Sequence, residues 1–297
     1  MNAPRSAAGA SAVDTFDGQR RLLFGIAYRM LGSVQDAEDM VQETYLRWQQ
    51  APAGDVRNAK AYLSTIVTRL CIDQLRSART QRETYIGPWL PEPLISEETL
   101  DMDEGLARAD SLSMAFLVLL ERLNPVERAA FLLRDVFDYE YAEIARVVDK
   151  TEANCRQMVR RARGRVAEQR QRFEATPEQL ASLTRRFLAA ASHGDLDGLV
   201  ALLADDVTLW SDGGGKVAAA LNPVSGPAKV ARFFVGLGRK LPEHFRTRMA
   251  RVNGGPGVII YDREQPYAVI CPQIVEGQVT AFRIVTNPDK LRRVPAG

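Results

Sequence analysis

The chain has 297 residues, of which 46% are hydrophobic and 26% are charged, and its formal net charge is only +2. No apolar run approaches the roughly 18 residues that a membrane span needs, and the first residues contain no apolar segment of the kind found in signal peptides. The three cysteines and two histidines show no metal-ligand spacing. We therefore expect a cytoplasmic protein of two or three domains, without a membrane segment, metal or cofactor.

After a short tail over residues 1–13, residues 14–82 carry apolar residues at helical spacing. The pattern breaks at Gly32 and restarts at Ser33, a good N-cap. The restarted helix leaves three carboxylates on one face, at positions i, i+3 and i+7. They are Asp36, Asp39 and Glu43. Taken alone, this acidic face is better explained as ordinary surface charge.

The next helical stretch, residues 57–82, becomes rich in arginine toward its end and has an aromatic residue near its start. Such a helix could contact single-stranded DNA by stacking and through its cations, although an ordinary basic surface would look the same. Residues 83–110 then lose the helical periodicity. They contain eight acidic residues against one arginine, and the prolines of "PWLPEP" indicate a locally stiffened linker.

Helical patterns return over residues 111–174, where Asn124 can cap a helix that begins with Pro125. A short helix from Tyr141, a turn at residues 148–150 and a second helix opened by Thr151 predict a helix-turn-helix. The second helix carries Asn, Gln and Arg side chains, which can reach base edges and phosphates in the major groove. A solvated basic face on an ordinary helix is the alternative.

From residue 175 onward the character changes to two helical pieces, then β-branched runs separated by Gly and Pro, with one further helix between them. Helices followed by a strand meander predict an α+β domain with a curved sheet.

Together these blocks resemble regions 2 and 4 of a sigma-70 family factor of the extracytoplasmic-function class. The residues that carry the resemblance are "LLFGIAYRMLGSVQDAEDMVQETYLRW", "AYLSTIVTRLCIDQLRS" and "LERLNPVERAAFLLRDVFDYEYAEIARVV", in that order. "WLPEP", "DGGGK" and "NPDKL" are similar to motifs of the SigJ-like group, which has a fused C-terminal SnoaL-like domain. The resemblance implies two all-α sigma domains, a region 2 bundle and a region 4 helix-turn-helix, followed by an α+β SnoaL-like cone domain.

The resemblance also implies a domain order and a set of contacts. Region 2 would occupy residues 14–82, the acidic linker 83–110, region 4 residues 111–174 and the SnoaL-like domain 175–297. Core RNA polymerase, through its β′ and β subunits, and promoter DNA would be the partners. The acidic face of Asp36, Asp39 and Glu43 would meet the clamp helices of β′.

Two sets of residues would contact promoter DNA. For the minus-10 element they are Arg57, Asn58, Lys60, Tyr62, Arg69 and Arg76. For the minus-35 element they are Thr151, Asn154, Arg156, Gln157, Arg160, Arg161 and Arg163.

A third set would mediate regulation between domains. It consists of Trp89, Leu90, Pro91, Glu92 and Pro93, then Asp212, Gly213, Gly214, Gly215 and Lys216, and finally Asn287, Pro288, Asp289, Lys290 and Leu291. Acidic linker residues such as Glu92 are candidate partners for Lys216 and Lys290.

The stretch "SDGGGKV" superficially resembles a phosphate-binding loop. Its glycines are contiguous, Val217 follows Lys216 where Ser or Thr is needed, and no helix pattern begins there, so we do not expect nucleotide binding. A flexible loop at the end of the strand "VTLW" and a loop that regulates the sigma domains remain the two interpretations.

The C-terminal domain raises two further possibilities. A small-molecule or protein effector could bind this domain, with a pocket for a small effector lined by Trp210, Phe233 and Phe234. A catalytic site could instead use Asp212, Tyr261 and Tyr267. A fold does not fix a function, and nothing in the sequence places these three residues together. We therefore expect no enzyme activity. The main prediction is a sigma factor tuned by its own C-terminal domain. The alternatives are a one-component, ligand-sensing helix-turn-helix regulator and a SnoaL-like enzyme with a fused DNA-binding segment.

Overall fold

The chain forms two compact units in the computed structural model, which describes residues 12–51, 58–96, 112–167 and 177–297. Unit 1 consists of Met1–Ser77 and Leu123–Arg163, and unit 2 consists of Ala78–Arg122 and Gly164–Gly297. The segment that joins the two halves of unit 1 therefore belongs to unit 2. Within the described ranges, no helix has the length and apolar character needed to cross a bilayer.

Most of the described helices precede most of the described strands, as predicted, but one short strand lies within the predicted linker. The helices are α1 Ala12–Leu31, α2 Val34–Gln49, α3 Ala59–Glu83, α4 Met114–Leu120, α5 Pro125–Asp135, α6 Tyr141–Val148, α7 Glu152–Ala167, α8 Pro177–His193, α9 Leu196–Val200, α10 Pro227–Gly238 and α11 Pro288–Leu291. The strands are β1 Ile95–Ser96, β2 Leu203–Asp212, β3 Val224–Ser225, β4 Phe245–Val252, β5 Gly255–Asp262, β6 Gln265–Val275 and β7 Gln278–Val285.

Side-chain caps fix the helix starts in unit 1 where the sequence predicts them. Ser33 accepts a hydrogen bond from the Asp36 amide at 3.2 Å, and Asn124 accepts one from the Glu127 amide at 2.9 Å. Thr151 does the same for the Asn154 amide at 3.2 Å, directly after the left-handed turn of the α6–α7 connection. The helix-turn-helix prediction is therefore confirmed.

Unit 2 contains one seven-stranded sheet with the order β1-β4-β5-β6-β7-β2-β3. All neighbouring strands are antiparallel except β2 and β7, which are parallel. Because side chains alternate along a strand, Val258 and Ile260 of β5 pack with α8, α9 and α10, whereas Ile259 and Tyr261 lie on the opposite face. That opposite face is covered by residues outside the sheet, which are Leu90, Met114, Leu291 and Val294.

The first strand comes from the predicted linker. In β1, Ile95 pairs with Val252 at the edge of β4. Just outside β1, the Asn253 amide donates to the Leu94 carbonyl oxygen at 2.8 Å, and the Leu94 amide donates to the Asn253 side chain at 3.1 Å. This part of the connecting segment is therefore built into the sheet domain. The five-part division proposed from the sequence remains a prediction.

Candidate functional site

The carboxylate of Asp212 is the centre of a polar cluster in unit 2. Asp212 is the last residue of β2 and its side chain is fully buried. One oxygen accepts from the Tyr85 hydroxyl at 2.5 Å and from the Gly214 amide at 3.1 Å. The other accepts from the Leu90 amide at 2.8 Å and from the Lys290 ammonium at 2.7 Å. Four donors satisfy a charge that would otherwise be costly to bury.

Lys290 joins the other motifs to this carboxylate. Its ammonium also donates to the Leu90 carbonyl oxygen at 2.5 Å, and it lies 4.2 Å from the centre of the Trp89 ring and 5.1 Å from that of Tyr85. Both distances suit cation–π attraction. "WLPEP", "DGGGK" and "NPDKL" therefore meet at one place. We call Tyr85, Trp89, Leu90, Asp212, Asn287 and Lys290 the three-motif cluster.

Asn287 closes the cluster from the C-terminal side. Its side-chain amide donates to the Tyr85 hydroxyl at 3.0 Å, and its backbone amide donates to the Asp212 carbonyl oxygen at 2.9 Å. Its side-chain oxygen accepts from the Asp289 amide and so caps α11. Burial, and then the hydrogen bond to Asp212, hold the pKa of the Tyr85 phenol well above its usual range.

The contiguous glycines allow the loop after β2 to approach its neighbours closely. Gly214 and Gly215 have φ angles of 61° and 71°, a region that other residues rarely adopt. A Cβ atom at Gly214 would lie 2.3 Å from the Asn287 side chain, and one at Gly215 would lie 2.8 Å from that of Ile86. The glycines therefore serve packing against the linker and the C-terminal motif.

The two lysines of the regulatory motifs each pair with an aspartate of unit 2. Lys216 pairs with Asp289 at 2.5 Å, and this contact lowers the pKa of the Asp289 carboxyl. Lys290 pairs with Asp212 at 2.7 Å, and its pairing with a linker acid such as Glu92 stays a prediction. The remaining members of the predicted regulatory set differ in burial. Pro91, Glu92, Pro93, Gly213 and Leu291 are buried, whereas Pro288 is exposed at the start of α11.

The acidic face predicted to bind polymerase lies on α2. The residues of α2 that are buried are Val34, Ala37, Val41 and Thr44. Asp39 is exposed and accepts from Gln35 at 3.2 Å, Glu43 pairs with Arg47 at 3.0 Å, and Asp36 is half-buried in the first turn. The three carboxylates therefore share a face that the helix does not bury, and their role remains a prediction.

Most of the predicted minus-10 residues are exposed on α3, while Arg57 lies outside the described residues. Asn58 caps α3 by accepting from the Ala61 amide at 3.0 Å. Arg76 pairs with Asp73 at 3.4 Å. Lys60 lies 5.5 Å from the centre of the Tyr139 ring.

Two other minus-10 residues have contacts that bear on the prediction. Tyr62 is partly exposed beside Trp48, with their ring centres 5.9 Å apart, as a stacking platform requires. Arg69 donates to the carbonyl oxygens of Val147 and Arg146, at 3.0 Å and 2.8 Å, at the end of α6. These two bonds use Nε and Nη2 of an exposed side chain, and the DNA contact of Arg69 stays a prediction.

The predicted minus-35 residues are almost all exposed on α7. They divide into two groups. Arg163 forms a two-pronged ion pair with Asp135, at 2.7 Å and 2.9 Å, and Arg156 pairs with Glu152 at 2.7 Å. Arg161 approaches Glu127 at 3.5 Å. Of the others, Thr151 lies just before α7 and accepts from the Asn154 amide, whereas the exposed side chains of Asn154, Gln157 and Arg160 have no side-chain partner among the described residues.

A cavity of about 750 Å³ opens between the sheet and α8 and α10 of unit 2. Phe234 lines it, as expected for an effector pocket. The other two expected lining residues are elsewhere, because Trp210 packs on the opposite sheet face beneath Arg283 and Phe233 packs behind Phe234.

The proposed catalytic group is not assembled at this cavity. Asp212 belongs to the three-motif cluster, and Tyr261 is buried on the opposite face of the sheet. Tyr267 is exposed. None of the three lines the cavity.

Sequence reasoning missed Tyr85. This residue precedes Trp89 by four positions in the linker, and its only sequence signal is that proximity. Its bond to Asp212 joins residues 127 positions apart, which no local pattern encodes.

Comparison with known proteins gives consistent matches over most of the chain. Residues 16–81 match the family model of Sigma-70 region 2, residues 113–166 match that of Sigma-70 region 4, and residues 184–285 match that of the SnoaL-like domain.

Among curated proteins, the ECF RNA polymerase sigma factor SigJ of Mycobacterium tuberculosis is 40% identical, over 95% of this chain and 94% of the relative. The "Probable ECF RNA polymerase sigma factor SigI" of the same species is 31% identical, over 92% of each chain. The crystal structure of M. tuberculosis SigJ superimposes with a TM-score of 0.74 at 36% identity, covering 94% of this chain and 97% of that one. These relatives are sigma factors, and the match to region 2 favours that function over a one-component regulator.

Proposed function

The chain belongs to the extracytoplasmic-function RNA polymerase sigma factors, and we propose that unit 2, with its SnoaL-like domain, tunes the sigma activity of unit 1. The observation that carries this proposal is the three-motif cluster. Through it, the segment between the two sigma regions is bonded to both the loop after β2 and the C-terminal α11. A domain that holds this segment can control how far the two regions move apart.

We also propose the partners of unit 1. Core RNA polymerase would bind the acidic face of α2 through its β′ subunit, with β as a further contact. Promoter DNA would bind α3 at the minus-10 element and α7 at the minus-35 element. The side chains of Asn154, Gln157 and Arg160 are exposed and have no side-chain partner among the described residues, which suits base and phosphate contacts. Such a protein acts in the cytoplasm and is not an enzyme by itself.

Unit 1 packs the helices of the two sigma regions against each other. The Ser64 and Tyr139 hydroxyls are 2.6 Å apart, and Arg128 donates to the Met30 carbonyl oxygen at 2.5 Å. Arg69 adds its two bonds to the end of α6. A sigma factor that contacts two promoter elements at once has to separate these helices. In this proposal the free chain is closed, and the three-motif cluster restrains its opening.

Run-off transcription with purified core polymerase tests the proposal. The comparison is between the native chain and the variants Trp89→Ala and Lys290→Met, on a promoter recovered from the protein's own genome. Loosening the cluster should raise the number of transcripts per sigma molecule. Unchanged output from both variants would remove the regulatory role and leave the sigma function intact.

A second proposal concerns the cavity of unit 2, which we assign to a small effector. Its volume of about 750 Å³ falls within the range of small-molecule sites, and its lining is mainly apolar.

A further inference from the structure

The cavity has the size of a ligand site and not of a packing defect. Protein interiors pack as densely as organic crystals, and voids much larger than a water molecule are few. The space of about 750 Å³ is bounded by apolar side chains from α8, α10 and the sheet. They include Phe187, Leu188, Phe234, Leu237, Ile270 and Phe282. Such a lining holds water poorly, so an apolar occupant is favoured.

The polar side chains of the lining are few, and none of those described is acidic. They are Thr184, His193, Arg239 and Thr247, and none of the described lining residues is a carboxylate. His193 ends α8 and Arg239 caps the C-terminal end of α10, and both are exposed. Their exposure places them at the mouth of the cavity, while the aromatic and aliphatic residues form its interior.

We propose that this cavity binds an apolar ring or chain compound that carries one acidic group. The apolar body fills the space beside Phe187 and Phe282, and the acidic group lies at the mouth, next to Arg239 and His193. A cationic ligand has no counter-charge among the described lining residues. The cavity also offers no carboxylate base, which suits binding and not turnover.

The two basic residues also have a local reason to be where they are. The Arg239 cation complements the negative end of the α10 dipole, and the His193 ring nitrogen Nδ1 lies 2.7 Å from the Ala189 carbonyl oxygen at the end of α8. A role limited to helix stability would not distinguish an acidic ligand from a neutral one. A comparison of an acidic with a neutral ligand therefore separates the two roles.

This inference rests on the proposed regulatory role of unit 2 for its biological meaning. Helix α8, which supplies Phe187 and Leu188 to the lining, is the first described element after α7 in the chain. A ligand that packs against α8 stabilises unit 2 by mass action.

The test uses the full chain without polymerase or DNA, and two fluorescent probes with the same rings. Anilinonaphthalene sulfonate carries an acidic group, and phenylnaphthylamine is its neutral counterpart. Arg239→Gln should weaken sulfonate binding about fivefold and leave neutral-probe binding unchanged. The matched control is Arg232→Gln, an exposed arginine of α10 outside the lining, which should change neither affinity.

A second pair of variants checks the location. Leu237→Trp should fill the cavity and abolish binding of both probes, whereas Leu221→Trp, at an exposed position outside the lining, should not. Ala191→Phe, which also fills the cavity, serves if Leu237→Trp does not fold. Unchanged probe binding in the filled variants overturns the site, and equal effects of Arg239→Gln on both probes overturn the acidic class. The regulatory proposal is tested separately, by the run-off transcription of the cluster variants, which contains no ligand. It can therefore fail while the ligand site stands.

Discussion

At the scale of single residues, the two lysines of the regulatory motifs differ in burial, and their replacement should differ in cost. Lys290 is 12% exposed and faces a fully buried Asp212, whereas Lys216 and Asp289 are 55% and 40% exposed. Lys290→Met leaves a buried carboxylate without its cation, which should lower the free energy of unfolding by about 3 kcal/mol. Lys216→Met, the control, should lower it by at most about 1 kcal/mol.

Urea unfolding of the full chain, followed by tryptophan fluorescence, measures both values. Trp89 and Trp210 belong to unit 2 and report its unfolding. Equal losses for the two variants would contradict the assignment of the central ion pair to Lys290.

Tyr85 gives a prediction for pH. Its pKa is raised above the usual value of 10, first by burial and then by the bond to Asp212. As the pH rises above 10, the unfolded chain loses this proton before the folded chain does, so the contribution of Tyr85 to stability falls. The difference in free energy of unfolding between the native chain and Tyr85→Phe should therefore shrink from pH 9 to pH 11.5. A constant difference would contradict the raised pKa of Tyr85 in the folded chain.

At the scale of elements, α7 combines residues that form ion pairs within unit 1 with exposed residues that we propose to bind DNA. Arg163→Ala removes the two-pronged pair with Asp135 and should lower the free energy of unfolding by about 1 kcal/mol. Arg160→Ala, at a position without a described partner, should change stability by less than about 0.5 kcal/mol.

The same two variants should behave differently on DNA. If Arg160 contacts a phosphate, its removal reduces the slope of log affinity against log salt by about 1 for holoenzyme on duplex promoter. Filter binding over a range of salt concentrations gives the slope. An unchanged slope and unchanged affinity would remove Arg160 from the minus-35 contacts.

Local chemistry predicted the helices better than the strands. The caps at Ser33, Asn124 and Thr151 lie in the sequence next to the helices that they begin, so the pattern identifies them. Strand β4 was missed because its first five residues are exposed and three of its residues are arginines, which erases the apolar alternation. Strand β1 is two residues long and exists only because it pairs with β4.

In the candidate site, too, contacts between distant parts of the chain could not be predicted from local sequence. The three motifs were predicted from resemblance, and the structure brings all of them to Asp212. The ion pairs were not predictable, since Lys290 meets Asp212 across 78 positions and Lys216 meets Asp289 across 73. Pairing of this kind depends on the register of the sheet, which places the end of β2 beside the end of β7.

At the scale of the whole molecule, the connecting segment belongs to unit 2. Removing the C-terminal domain therefore also removes the surface against which this segment packs. Leu90 and Met114 are buried against the same sheet face as Leu291. A chain that ends at Glu174 lacks this face, so these apolar residues lose their cover and α4 loses its packing. Since α4 lies within the part that matches region 4, we expect the truncated chain to initiate fewer transcripts than Lys290→Met, which keeps the sheet and loosens only the cluster.

Run-off transcription at equal sigma concentrations, together with the fraction of monomer by size-exclusion chromatography, measures this difference. We expect the truncated chain to aggregate as well as to give few transcripts, because exposed apolar surface promotes association. A truncated chain that is monomeric and more active than Lys290→Met would mean that unit 2 acts only as a restraint. If the truncated chain gives fewer transcripts than an active Lys290→Met variant, the same sheet both restrains the connecting segment and completes the fold of region 4.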